Sequence, residues 1–191
     1  MIRKATVEDV KKIQKLVNYY AKRERMLPRS LNELYESIRN FFVYAEGRNI
    51  YGCCALNIDW EDMAEIKSLA VAKSRNGRGI GKKLMLECLK DAKKLKVKKV
   101  FALTYIPEFF EGFGFKLINK KDLPHKIWSE CIKCMYFPNC KEIAMMKEFF
   151  VRTFLLKCPT IPCLWRGIEY GELDDNGLYN YREDTAEAHE G

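Results

Sequence analysis

Residues 64–84 read AEIKSLAVAKSRNGRGIGKKL. An apolar, β-forming run from Met63 to Val71 passes through a turn dense in glycine and arginine into the start of a helix. Gly77, Gly79 and Gly81 alternate with Arg78 and Ile80. Glycine lets the backbone take positive φ and approach a ligand closely. The first N–H groups of a helix have no intrahelical acceptor and carry the positive end of its dipole, so such a turn suits a phosphate. The stretch therefore predicts a pyrophosphate cradle between a strand and a helix.

Downstream, Leu84, Met85, Cys88, Leu89, Ala92 and Leu95 recur at helical spacing and are expected to face a core. Lys98–Thr104 then predicts a strand, Pro107–Phe113 a short helix, Phe115–Ile118 a strand, Leu123–Glu130 a helix and Glu142–Glu148 a last strand. Upstream, Phe41–Glu46 and Ile50–Ile58 flank the turn Gly47-Arg48-Asn49 and predict an antiparallel hairpin. Before it come a short strand over Ile2–Ala5 and a helix from Thr6, with Asp9 three residues on. Pro28 interrupts the chain, and Ser30 with Glu33 forms a capping box for a second helix. Strands and helices interleave without an internal repeat, which predicts an α/β (α+β) fold.

The chain has 191 residues and a net charge of +8. Eight acidic residues against one basic lie between Ile168 and Gly191, so Met1–Gly167 carries +15. A basic body suits an anionic cofactor. No nucleic-acid-binding motif accompanies it, and no apolar run reaches the about 20 residues that span a bilayer. The N-terminus lacks the apolar segment of a signal peptide, so a cytoplasmic protein is expected. We expect one domain over residues 1–148 and a C-terminal extension over 149–191 with a mobile acidic end.

Eight cysteines in a reducing compartment are not expected to form disulfides. Cys53, Cys54 and Cys88 fall in strand or helix patterns and read as small buried hydrophobes. His125, Cys131, Cys134 and Cys140 lie within sixteen residues, and a Cys3His set suits structural zinc. Free thiols and a redox pair are the other readings of the same cluster.

The glycine turn with its flanking strand and helix, together with Phe109-Phe110-Glu111-Gly112-Phe113-Gly114-Phe115, resembles the GNAT superfamily of acetyl-CoA-dependent N-acetyltransferases. Their phosphate loop, Q/R-x-x-G-x-G/A, falls here on Asn76-Gly77-Arg78-Gly79-Ile80-Gly81, with Asn76 in place of Gln or Arg. The resemblance implies a mixed, mostly antiparallel sheet flanked by helices, with a splayed strand pair at the acetyl-CoA site. The phrases LPRS (Leu27–Ser30), FFVYAEG (Phe41–Gly47), AEIKSLAV (Ala64–Val71) and LPHKIW further resemble short, stand-alone N-acetylglutamate synthases, the first enzymes of arginine biosynthesis.

On that resemblance, acetyl-CoA lies along Leu69, Ala70 and Val71, its pyrophosphate on the amides around Gly77–Gly81, with Arg75 and Arg78 adding charge. The Leu69 N–H is the candidate donor to the thioester oxygen. Glu65 is the candidate base, or an outward-facing strand residue. Phe110 stands where many of these enzymes place a tyrosine acid, which leaves Tyr105 as a substitute or as packing. Arg29 and Lys67 are candidates for an acceptor's carboxylates, with Glu65–Lys67 as a plain ion pair the alternative. The implied partner is a small-molecule amine, foremost glutamate, with a homodimer allowed. Alternatives are another amino acid, a polyamine or a protein amine, or a non-catalytic acyl-CoA sensor carrying a metal module.

Overall fold

The computed structural model describes residues 1–123, 131, 132, 134, 136 and 139–149. The chain opens with β1 (Ile2–Lys4). A 3-10 turn, Val7–Asp9, runs into α1 (Val10–Ala21). Next come α2 (Leu31–Ser37), β2 (Phe41–Glu46), β3 (Asn49–Trp60) and β4 (Met63–Val71). The glycine turn leads into α3 (Ile80–Lys94), followed by β5 (Lys99–Thr104), α4 (Pro107–Glu111), β6 (Lys116–Leu117) and β7 (Ile143–Glu148). The helix expected over Leu123–Glu130 falls outside the described residues beyond Leu123.

The strands form one sheet in the order β1-β2-β3-β4-β5-β7-β6. Every neighbouring pair is antiparallel except β4 with β5. That parallel pair holds only at Met63↔Lys99, Ala64↔Val100 and Glu65↔Phe101. Beyond Glu65, β4 continues to Val71 along β3 alone, so the sheet splays open between β4 and β5.

Alternation along each strand sends side chains to two cores. On one face Cys54, Leu56, Ala64 and Ile66 meet Leu84, Met85 and Cys88 of α3. On the other, Val43, Cys53 and Ala55 meet Val10, Ile13 and Val17 of α1 and Leu34 of α2. In β4 the parity changes midway. Ala64 and Ile66 face α3, yet Ala70 joins the α1 side. The cause is a β-bulge: Cys53 pairs with Ala70 and Ala55 with Lys67, so two β4 residues oppose one of β3. Ser68, one of the two, takes φ +54°.

Two capping devices fix the helices. Ser30 Oγ accepts from the Glu33 N–H at 3.2 Å, while Glu33 Oε2 accepts from the Ser30 N–H at 2.7 Å, the predicted capping box. At α3 the helix stops at Lys94, and Leu95 is 55% exposed, contrary to its expected inward place. Lys96 takes φ +57° and the Val97 N–H bonds the Ala92 carbonyl at 3.0 Å. The chain thus reverses in a Schellman-like turn, and Val97 rather than Leu95 is buried.

Asp9 ties β1 to the start of α1. Its carboxylate accepts from Arg3 Nη1 at 2.6 Å and Nη2 at 3.0 Å, and from the Thr6 N–H at 2.9 Å. The Arg3 hydrogen bonds hold its carboxyl down at about 2. A lowered carboxylate pKa contributes stability that is present above the unfolded value and fades as pH falls toward the folded one. Urea denaturation at a series of pH values is expected to show this acid loss between about 4 and about 2. Asp9→Asn should cost on the order of 2 kcal/mol at neutral pH and flatten that acid limb.

Candidate active site

A cavity of about 670 Å³ opens where β4 and β5 part. Its floor is the free edge of β4 from Glu65 to Val71. The bulge at Ser68 presents Leu69 to this opening. Leu69 and Val71 pack their side chains on the α3 core, which leaves their backbone as the exposed hydrogen-bonding surface of the splay. The Tyr20 hydroxyl donates to the Val71 carbonyl and closes the far end of the edge. Leu69, Ala70 and Val71 therefore line the opening as expected.

Asn76 and Gly81 mark where the cavity meets the glycine turn. Gly77 takes φ +77° and Gly79 φ +71°, conformations in which a Cβ is strained. Gly79 is the N-cap of α3, and no side chain caps its first turn. The Lys83 N–H reaches back to the Gly79 carbonyl at 3.0 Å, so Ile80, Gly81 and Lys82 precede the first ladder bond. A Cβ on Gly81 would sit 3.7 Å from Phe109 and from Val71, so the FFEGFGF segment packs directly against the turn. Arg78 is exposed at its tip. Arg75, by contrast, is already engaged: its Nη2 lies 2.8 Å from Glu46 Oε2, and its guanidinium stacks 4.4 Å from the Tyr51 ring centre. The hydrogen bonds from Arg75 hold the Glu46 carboxyl below its usual range.

On the acceptor side, Glu65 is 6% exposed and its Oε2 lies 2.8 Å from Lys67 Nζ. The ion pair allowed by their shared face is therefore formed, with both side chains lining the cavity. Arg29 lies at its rim, and the sequence offered no hint of what positions it there. Asn18 of α1 accepts from the Arg29 N–H at 2.9 Å and donates to its carbonyl at 3.1 Å. The Arg29 guanidinium reaches Glu33 at a loose 3.7 Å.

Two further lining residues, Arg25 and Glu142, escaped the sequence reading. Glu142 stands immediately before β7, and the Thr104↔Ile143 pair brings it opposite Tyr105. Burial raises its carboxyl above the usual range. Tyr105, 36% exposed, is pushed up to about 12, first by desolvation and then by Glu142. Phe110 is 4% exposed and edge-on to Phe115 at 5.4 Å between ring centres, a packing residue on the cavity wall.

Cys131, Cys134 and Cys140 line the same cavity as free thiols, and burial raises Cys131. Among the described residues no three His, Cys, Asp or Glu side chains are grouped to hold a metal ion. His125 lies outside the described residues. The expected Cys3His set therefore lies partly outside the described residues. Also among the described residues, no helix is long and apolar enough to cross a membrane.

The model of the acetyltransferase (GNAT) family matches residues 7–115. An uncharacterised N-acetyltransferase of Chlorobaculum tepidum is 37% identical over 146 residues, 76% of this chain and 94% of that protein. An amino-acid acetyltransferase of Mycobacterium tuberculosis is 35% identical over 134 residues, 68% of this chain and 76% of that protein. Among solved structures, a Mycobacterium tuberculosis protein in complex with CoA superposes with TM-score 0.69 at 28% identity, covering 78% of this chain and 99% of its own. The N-acetylglutamate synthase of Neisseria gonorrhoeae, complexed with coenzyme A and N-acetyl-glutamate, gives TM-score 0.71 at 25% identity. That match covers 78% of this chain and 34% of the longer synthase.

Gly79→Val places a β-branched residue at φ +71° at the helix start. It is expected to weaken CoA binding roughly tenfold or more by calorimetry. Lys96→Val, at φ +57° beyond the C-terminal end of α3, carries the same local strain and should leave CoA affinity unchanged.

Proposed function

The chain belongs to the acetyltransferase (GNAT) family, and from that premise we propose that it acetylates the α-amino group of L-glutamate. It is an acetyl-CoA-dependent N-acetyltransferase; the choice of acceptor is the inference. The observation that carries it is the charge of the cavity. Among the described lining residues Arg25, Arg29 and Lys67 stand against Glu65 and Glu142, one positive charge in excess. Glutamate, with two carboxylates and one ammonium, brings one negative charge and neutralises it. A polyamine would add several positive charges to a site already positive. The amino-acid acetyltransferase and N-acetylglutamate synthase names of the relatives support the same reading, and with it a cytoplasmic reaction at the entry to arginine biosynthesis is proposed.

The division of labour follows from position. Pantetheine pairs with the free edge of β4, and the pyrophosphate takes the amides from Gly77 to Gly81, with Arg78 as the available cation. The Leu69 N–H polarises the thioester carbonyl and stabilises the oxyanion as the amine adds. Arg29 and Lys67 hold the acceptor's carboxylates. Glu65 accepts the ammonium proton, directly or through water. Lys67 depresses its basicity while paired, and an incoming carboxylate that draws Lys67 away raises it. The amine nitrogen then attacks the thioester carbon, the C–S bond breaks, and CoA leaves as a thiolate. Tyr105 donates a hydrogen bond to that sulfur.

Thiol release from acetyl-CoA, followed over a panel of amino acids and polyamines, tests the acceptor. Glutamate should give the highest kcat/KM, and a clear preference for another amine would overturn the assignment. Arg29→Ala should raise the glutamate KM by roughly tenfold to a hundredfold with the acetyl-CoA KM unchanged, the loss of one charge-assisted contact. Tyr105→Phe should lower kcat less than tenfold or so, because a phenol near 12 lends a hydrogen bond but keeps its proton.

A further inference from the structure

Glu142 is a charged group of the cavity to which the reaction outlined above gives no task. Three observations single it out. It lines the cavity together with Leu69 and Glu65, opposite Tyr105 across the last register pair of β5 and β7. Its carboxylate is half-buried, and among the described residues the Cys140 thiol donates to it at 3.7 Å. No described lysine or arginine forms an ion pair with it, whereas the other cavity carboxylate, Glu65, is held by Lys67 at 2.8 Å. Lys120 and Arg29 act on it from beyond ion-pair distance, and a half-buried carboxylate with no cation in contact is a seat for an incoming positive charge.

We propose that Glu142 is the seat of the acceptor's ammonium group. The inference rests on the amino-acid acceptor reading given above and adds the residue that recognises the amine. It divides recognition between walls of the cavity. Arg29, from the segment between α1 and α2, and Lys67, from β4, take the carboxylates, while Glu142, at the foot of β7, takes the nitrogen. Held there, the ammonium lies in the cavity that Glu65 also lines. Glu142 binds and orients the charged amine. The proton passes to Glu65, and the nitrogen lone pair it leaves behind turns to the thioester. The seat favours acceptors that arrive as cations at the reacting nitrogen and disfavours neutral nucleophiles of the same shape.

Glu142→Gln keeps the shape and removes the charge. Steady-state kinetics should show the glutamate KM raised roughly tenfold or more, with the acetyl-CoA KM unchanged and kcat altered only a few-fold. Glu142→Asp should recover part of the glutamate affinity. Glutarate, which has the same two carboxylates and no amine, serves as a competitive inhibitor. Its inhibition constant should stay the same or improve in Glu142→Gln, because only the amine has lost its partner. An unchanged glutamate KM would overturn the proposal, as would a collapse of kcat at constant KM or an equal weakening of glutamate and glutarate. Should Glu142→Gln fail to fold, the Glu142→Asp variant carries the same glutamate-against-glutarate comparison. The premise fails separately: a wild-type protein that releases no CoA with any amino acid refutes the acceptor reading without reference to Glu142.

Discussion

Past Glu65, strand β4 hydrogen-bonds on one edge only. Its partnership with β5 ends at Glu65↔Phe101, while its pairing with β3 runs on to Gly52↔Val71. Nearly everything else in the site depends on that one-sided stretch. An unpaired strand edge is a template for another extended chain, and native proteins usually blunt or cover such edges. Here it is kept open inside a cavity and bordered by the Phe109 wedge, which packs on Gly81 and Val71. A pantetheine arm is chemically a short peptide, so on the proposed function the missing half of the ladder is its binding surface.

The bulge at Ser68 makes this edge serve two purposes. Without it, strict alternation would put Glu65, Lys67, Leu69 and Val71 on one face. With two residues opposed to one, Glu65 and Lys67 line the acceptor side while Leu69 and Val71 turn into the α3 core. Polar chemistry and apolar anchoring thus alternate along a single strand, and the Leu69 backbone is left at the boundary. A serine at positive φ is mildly strained, and the surrounding pairing over-determines it.

What could be read in the sequence followed periodicity and glycine. The spacing of Leu84, Met85, Cys88 and Leu89 located α3, and of the turn's three glycines those at 77 and 79 take positive φ. The capping box at Ser30 was legible because both of its residues are local. The bulge was not, since Ser68 carries no glycine or asparagine to announce a left-handed residue. Glu142 was equally silent: it became a cavity residue only when β7 paired with β5, a contact between segments about forty residues apart. Arg75 was read as a phosphate ligand from its neighbours in sequence, and its pairing with Glu46, brought close by the β2–β3 hairpin, is a contact that reading did not include. Long-range partners decide such cases, and local pattern is blind to them.

The Arg75–Glu46 and Lys67–Glu65 pairs are two versions of one arrangement. Each holds a cation at the edge of the ligand site with a carboxylate that a ligand anion can displace. They differ in burial. Arg75 and Glu46 are 25% and 38% exposed at their side chains, so water screens their attraction, and on the proposed function exchanging Glu46 for a phosphate changes little. Lys67 and Glu65 are 9% and 8% exposed at their side chains, where an uncompensated charge is far more costly. Lys67 therefore leaves Glu65 only for another carboxylate arriving in the same cavity. On the proposed reaction, such an exchange removes the lysine that favours the charged form of Glu65, and burial then favours its protonated form. On that reading the acceptor's own carboxylate restores the basicity of Glu65, and acetyl-CoA bound alone faces the intact ion pair.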